Sequence, residues 1–220
     1  MSSTTSYRLS GIALIIGAVL SAIGLILSAF ASGTDLQSLI SPLTMIFSLF
    51  TIFGSLFVLL GLRGMYIRQA GRAGILGLLG FLFVWYVTLF QGVMIAFTTV
   101  TFIPMLAAHQ VAPSVVVTTQ PSTWIPFFIV SLVGQVLGIL LLGIATLRAR
   151  VFPRWIGWLL IATVVLGVVS HAPFIPEALQ SLSAIIASVA IARFGYFLLW
   201  PERLERAQPA QASVEAEARA

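Results

Sequence analysis

The sequence predicts an all-α protein: a polytopic membrane helix bundle of six transmembrane helices, with the N-terminus and the C-terminus both cytoplasmic. Three observations carry this. The 220 residues are 60% hydrophobic and only 8% charged, against roughly 25% charged residues in a soluble domain, so a water-facing surface cannot be covered. Apolar runs recur six times, each near the roughly 20 residues that a helix needs to cross a bilayer. Finally, all 11 basic residues are Arg, and those outside the apolar runs fall on only one side of such a bundle.

Residues 1–9 read as a short cytoplasmic tail, and residues 10–200 as the transmembrane domain. The first span covers Ser10–Ala31. Its start, with Arg8 before an apolar stretch and Ala29-Phe30-Ala31 at the end, has the outline of a secretory signal. At nearly 20 residues, however, it exceeds the usual apolar core of about 7–15, so it reads as a retained span. The second span covers Leu43–Leu62, the third Ala73–Phe97, the fourth Trp124–Leu147, the fifth Trp155–Phe174 and the sixth Ala178–Trp200. Short Arg-bearing connections make tight antiparallel hairpins of spans two and three and of spans four and five. The stretch Thr98–Thr123 is the largest external segment, with a short interfacial helix expected around Phe102–His109. Residues 201–220 are rich in Ala, Glu, Gln and Pro and hold too few large apolar groups to bury, so a disordered cytoplasmic tail is expected there.

Orientation follows from the Arg residues. Arg8 precedes the first span; Arg63, Arg68 and Arg72 fill the second connection; Arg148, Arg150 and Arg154 fill the fourth; Arg203, Arg206 and Arg219 follow the sixth. The first, third and fifth connections hold none, and only Arg193 falls inside a span. The positive-inside rule then puts both ends in the cytoplasm. Trp155, Trp158 and Trp200 sit at the same ends and Trp124 at an outer end, as interfacial anchors do. Together with Arg63, Arg68, Arg72, Arg148, Arg150 and Arg154, those three inner Trp are expected to hold the chain against lipid headgroups. Trp85, near mid-span, is expected to pack with its N–H bonded to a neighbouring helix.

Several chemistries are excluded. With no cysteine, there is no disulfide, thiol nucleophile or iron–sulfur ligand. Without Lys there is no Schiff base. The two His, His109 and His171, lie on the same side, in or beside loops, and so cannot clamp a haem between facing spans. Asp35, His109, His171 and Glu177 collect externally but lack ligand spacing. Nucleophile-elbow, zinc-protease and phosphate-loop patterns are missing. No catalytic, cofactor-binding or metal residues are therefore expected, and no cofactor. The net charge of +5 resides at helix ends and implies no nucleic acid. No Asp or Glu falls inside a span, which argues against ion-coupled transport.

What remains is packing and a few polar groups. Gly17, Ser21, Gly24 and Ser28 line one face of the first span, and Gly134 and Gly138 form a small-x-x-x-small pair in the fourth; such residues let helix backbones approach closely in lipid. Their ordinary use is packing within the bundle, their alternative use a homo-oligomer or a partner membrane protein. Gln91 and Gln135, beside Thr88 and Ser131, are expected to bond between helices. Arg193 lies about 10 Å below the inner end of its helix, within snorkelling reach of the interface. These three are the candidate polar or lipid contacts.

Two turns carry a resemblance. Arg148-Ala-Arg-Val-Phe-Pro-Arg-Trp-Ile-Gly-Trp-Leu-Leu160 resembles a turn of uncharacterised bacterial six-helix integral membrane proteins, and Gly61-Leu-Arg-Gly-Met-Tyr-Ile-Arg-Gln-Ala-Gly-Arg72 looks like their earlier cytoplasmic turn. The resemblance implies the same topology in a bacterial cytoplasmic membrane and carries no activity. The short loops, missing catalytic motifs and small-residue faces lead to a first functional expectation, a structural or accessory subunit packing with partner membrane proteins, with a passive carrier or binder of an apolar or lipid-like small molecule as the alternative. Membrane lipids are the partners common to both.

Overall fold

The structure, a computed structural model, describes residues 3–30, 36–109, 125–169 and 178–200, which are helical almost throughout, with no strand among them. The elements are α1 (Ser3–Ser28), the single turn α2 (Leu36–Leu39), α3 (Pro42–Val87), a π-helical segment (Thr88–Ile95), α4 (Ala96–Ala108), α5 (Ile125–Ala149), α6 (Arg154–Val169) and α7 (Ala178–Leu199). Four continuous helical stretches are long and apolar enough to cross a membrane: Thr5–Ser28, Pro42–Ala108, Ile125–Ala149 and Leu182–Leu199. The apolar α6 has 16 residues, about 24 Å at 1.5 Å per residue.

The 67-residue stretch Pro42–Ala108 is not a single rod. It starts at Ser41, whose hydroxyl accepts from the Thr44 N–H at 3.2 Å, a normal cap for a helix with Pro in its first turn. It reverses at Gly74, whose φ of 59° and ψ of −156° belong to a region essentially open to glycine alone. Beyond Gly74 the chain runs back along itself. Tyr66 stacks on Phe81 with centroids 4.7 Å apart, and Gly92 abuts Ser55. Both pairs straddle Gly74 almost symmetrically, as an antiparallel hairpin requires. The expected loop over 63–72 is therefore helical, and Arg63, Arg68 and Arg72 project from a helix. Arg and Gln are good helix formers, so nothing in that run stops the helix before the glycine does.

The outer end of the same limb also departs from expectation. The helix passes through the π segment and does not stop at Phe97 but continues along α4 to Ala108, absorbing the interfacial helix expected around Phe102–His109. Pro104 lies inside it. Thr98, Thr99 and Thr101 donate their hydroxyls to carbonyls four residues back, at 2.9, 3.1 and 2.7 Å, so none of the three needs a partner outside the helix.

Small residues set the packing. A Cβ on Gly17 would stand 2.7 Å from the Val58 nitrogen and 2.8 Å from the Gly54 carbonyl, so α1 lies backbone to backbone on the first limb of α3. Gly24 meets Thr51 on the same seam, and Ser21 meets Gly54. Ser28 instead donates to the Leu25 carbonyl of its own turn at 2.7 Å. Gly80 and Gly138 join the second limb to α5; Gly143 and Gly157 join α5 to α6. On the other side, Gly11 and Gly195 bring α1 against α7. The Phe152 ring stands edge-on to Phe194, 5.0 Å away, tying the α5–α6 turn to α7. Each helical limb thus packs on its sequence neighbour, and α7 closes on α1, so six limbs form a ring.

The ring differs from a soluble protein on its outside: its exposed face is apolar as well as its core, and several polar side chains are buried. Thr44, Ser48, Ser55, Gln69, Ser131, Thr146 and Thr163 are buried, while Leu60 is 67% exposed and Ile75 74%. A bundle in lipid tolerates this, since the solvent outside is itself apolar.

Candidate functional site

The ring encloses a cavity of about 130 Å³. All six limbs contribute to its wall: Leu14 from α1, Leu62 and Met65 from the first limb of α3, Val84, Val87 and Thr88 from the returning limb, Gln135, Ile139 and Leu142 from α5, Leu160 from α6, and Ala187, Ile191 and Phe194 from α7. Contribution from every limb puts the cavity on the axis of the bundle. Its wall is apolar except for Thr88 and Gln135.

The polar rim arises from local helix geometry. Thr88 begins the π-helical segment and donates its hydroxyl to the Val84 carbonyl at 2.7 Å. Wider π turns re-aim side chains and recur at functional positions. Here the segment carries Gln91, whose Nε2 lies 3.4 Å from Gln135 Oε1, a long and weak hydrogen bond. This leaves the Gln135 amide N–H groups and the Gln91 carbonyl oxygen available for other partners. Gln135 both lines the cavity and is exposed, so the cavity is open there. It lies about 21 Å from the Ala149 end of its helix, near the helix's middle. An aromatic cluster holds this level together. Phe90, 3% exposed, stacks against Tyr86 at 5.9 Å and Phe127 at 6.0 Å, and meets Phe128 edge-on at 5.5 Å. The Tyr86 hydroxyl donates to the Phe127 carbonyl at 3.2 Å.

The opposite end is closed. Gln69 lies one turn beyond Met65, and Thr146 one turn beyond Leu142. Both are fully buried, and the Thr146 hydroxyl approaches Gln69 Oε1 at 3.4 Å and the Leu142 carbonyl at 2.8 Å. The Gln69 Nε2 and the Ser131 hydroxyl are buried with no hydrogen-bond partner among the described residues. Each such group costs about 1–3 kcal/mol. Sequence reasoning missed Gln69, grouping it with the Arg residues of a presumed loop. The signal was there in its register: Leu62, Met65, Gln69 and Ala73 follow the spacing of one buried helix face.

The other expected site residues lie elsewhere. Arg193 is exposed and sits over the Trp155 ring at 5.6 Å, on the outside of the α6–α7 seam and away from the cavity wall. Arg68 lies over Tyr7 at 5.5 Å. Arg63 borders an outer groove with Tyr66, Phe81 and Trp85, and Arg72 is exposed. Trp200 is exposed against Tyr196, with centroids 4.8 Å apart. Arg148, Arg150, Arg154 and Trp158 line one pocket beside the α5–α6 turn. The contacts of Ser10 with Gly64, Gly77 with Ala145 and Gly11 with Gly195 put these groups at one end of the bundle. Trp85 is corrected: it is 40% exposed and makes no hydrogen bond to another helix among the described residues. His109 is exposed at the end of α4, and no cluster of metal-ligating side chains occurs among the described residues. Trp124, Asp35, His171, Glu177 and the tail 201–220 lie outside them.

Comparison with protein-family models, curated proteins and solved structures finds no match to this chain.

Proposed function

We propose that this chain is a six-span protein of a bacterial cytoplasmic membrane, with both termini inside, that binds a small apolar molecule bearing one hydrogen-bonding group in its axial cavity. The observation that carries this reading is the cavity itself, walled by all six limbs, apolar, and opened beside Gln135 and Gln91. Its volume compares with the roughly 150 Å³ apolar cavity that admits benzene. An apolar wall supplies affinity through burial, and a lone amide pair supplies orientation. No Asp or Glu falls inside a span, which argues against ion-coupled transfer. The accessory-subunit reading, motivated by short loops, missing catalytic motifs and small-residue faces, is the alternative; Gly17, Gly24, Gly134 and Gly138 pack on this chain's own helices, so those four do not themselves call for a partner.

Mass spectrometry of the protein released gently from its own membranes tests the reading. One discrete small molecule is expected to stay bound. Its occupancy should fall in Ala187→Phe, which fills the cavity, and in Gln135→Leu, which removes the amide. Equal retention in both variants, or no bound molecule in the unaltered protein, would overturn it.

A further inference from the structure

A second, independent binding site lies outside the cavity, and we infer that the α5–α6 turn is a recognition site for a phosphate group. Three guanidiniums, from Arg148, Arg150 and Arg154, line one pocket of about 410 Å³ together with Trp158 and Leu147. The turn is built so that they converge. Arg148 is the last-turn cation of α5. Arg150 follows the buried Ala149, and its N–H donates to the Thr146 carbonyl at 3.3 Å, closing the helix with one left-handed residue. Arg154 opens α6, one turn before Trp158. The burial of Phe152 at 2% against Phe194 anchors the loop between them.

The chemistry of this lining points to an anion. Guanidinium forks match phosphate oxygens in pairs, and three of them line this one concavity. Arg150 also holds φ at 51°, where glycine is the usual occupant of a helix end. The guanidinium is thus present where the backbone alone favours its absence. The Trp158 ring, 61% exposed, offers an indole N–H and an apolar flank suited to the glycerol ester beside a lipid phosphate. The shared chemistry is a phosphate, whether on a lipid headgroup or free in the cytoplasm.

The test is lipid binding to the purified full chain in detergent, titrated with phosphatidic acid and, as the uncharged control, diacylglycerol. Phosphatidic acid should bind and diacylglycerol should not. Arg150→Gly and the pair Arg148→Gln/Arg154→Gln should each weaken binding roughly ten-fold or more, the effect of losing charge-assisted hydrogen bonds. Arg8→Gln, at the start of α1 and outside this pocket, should leave it unchanged. Arg150→Gly also guards against a folding artefact, because glycine suits φ 51° and its melting temperature should not fall. Displacement by millimolar inorganic phosphate assigns the site to free phosphate; resistance to it assigns the site to a lipid headgroup. Equal binding by the wild type and the Arg148, Arg150 and Arg154 variants, or equal weakening by Arg8→Gln, overturns the inference.

Discussion

A Cβ at Gly74 would meet open space, yet the residue cannot be exchanged freely, because its φ of 59° and ψ of −156° exclude a side chain for reasons internal to the backbone. Gly71, three residues earlier, also faces open space but is ordinary helix. The two glycines therefore separate conformational strain from packing. Gly74→Ala should destabilise the protein by about 1–3 kcal/mol, whereas Gly71→Ala should stabilise it by up to about 1 kcal/mol. Thermal unfolding of the two variants side by side checks this; equal shifts would show that the reversal does not depend on Gly74. Arg150 is the converse case, a side chain where glycine would fit. Arg150→Gly should stabilise by up to about 1 kcal/mol while removing a guanidinium from the anion pocket, so a gain in melting temperature with a loss of phosphate binding is the expected signature.

Between elements, the seam of α1 with the first limb of α3 depends on contacts too close for side chains. Gly17 faces backbone atoms at 2.7 and 2.8 Å, and Gly54 faces the Ser21 nitrogen at 2.8 Å. Backbone atoms cannot rotate away, so Gly17→Leu should force the helices apart and cost about 1–3 kcal/mol or more. Gly24→Ala meets the rotatable Thr51 hydroxyl at 3.0 Å and should cost well under that. Detergent-induced unfolding followed by circular dichroism would rank them; a Gly17→Leu protein as stable as Gly24→Ala would show that this seam does not limit stability. The π-helical segment acts at the same scale. By widening one stretch of helix it brings Gln91 toward Gln135 and seats Phe90 in its aromatic cluster, so a local irregularity supplies both the rim of the cavity and the packing that holds it.

For the whole molecule, six limbs arranged as a ring place Arg63, Arg68, Arg72, Arg148, Arg150 and Arg154 at one end. If that end is cytoplasmic, single cysteines in this cysteine-free chain should report it without background. Ser2→Cys and Ser213→Cys should react with a membrane-impermeant maleimide only after permeabilisation, and Thr119→Cys in intact cells. Labelling of either terminal position from outside would invert or break the six-span topology. The ring also accounts for the cavity: a closed ring of helices leaves an axis, and side chains from all limbs fill it incompletely.

Composition and periodicity made the helical, apolar character of the chain legible, because lipid imposes its demand on every residue of a span independently. The glycine and serine spacing of α1 and α5 was legible for the same reason, since close approach needs small residues wherever it occurs. Residues 63–72 were misread as a loop because positive charge marks the end of a membrane span but does not end a helix; only the backbone of Gly74 does that. Gln69 was missed with them, although its register with Met65 was visible. The pairing of Gln91 with Gln135, the exclusion of Arg193 from the interior and the convergence of Arg148, Arg150 and Arg154 were beyond reach of the linear pattern. Each depends on how one helix is rotated against another, and that rotation is set by the sum of the packing contacts around the ring, not by any segment alone.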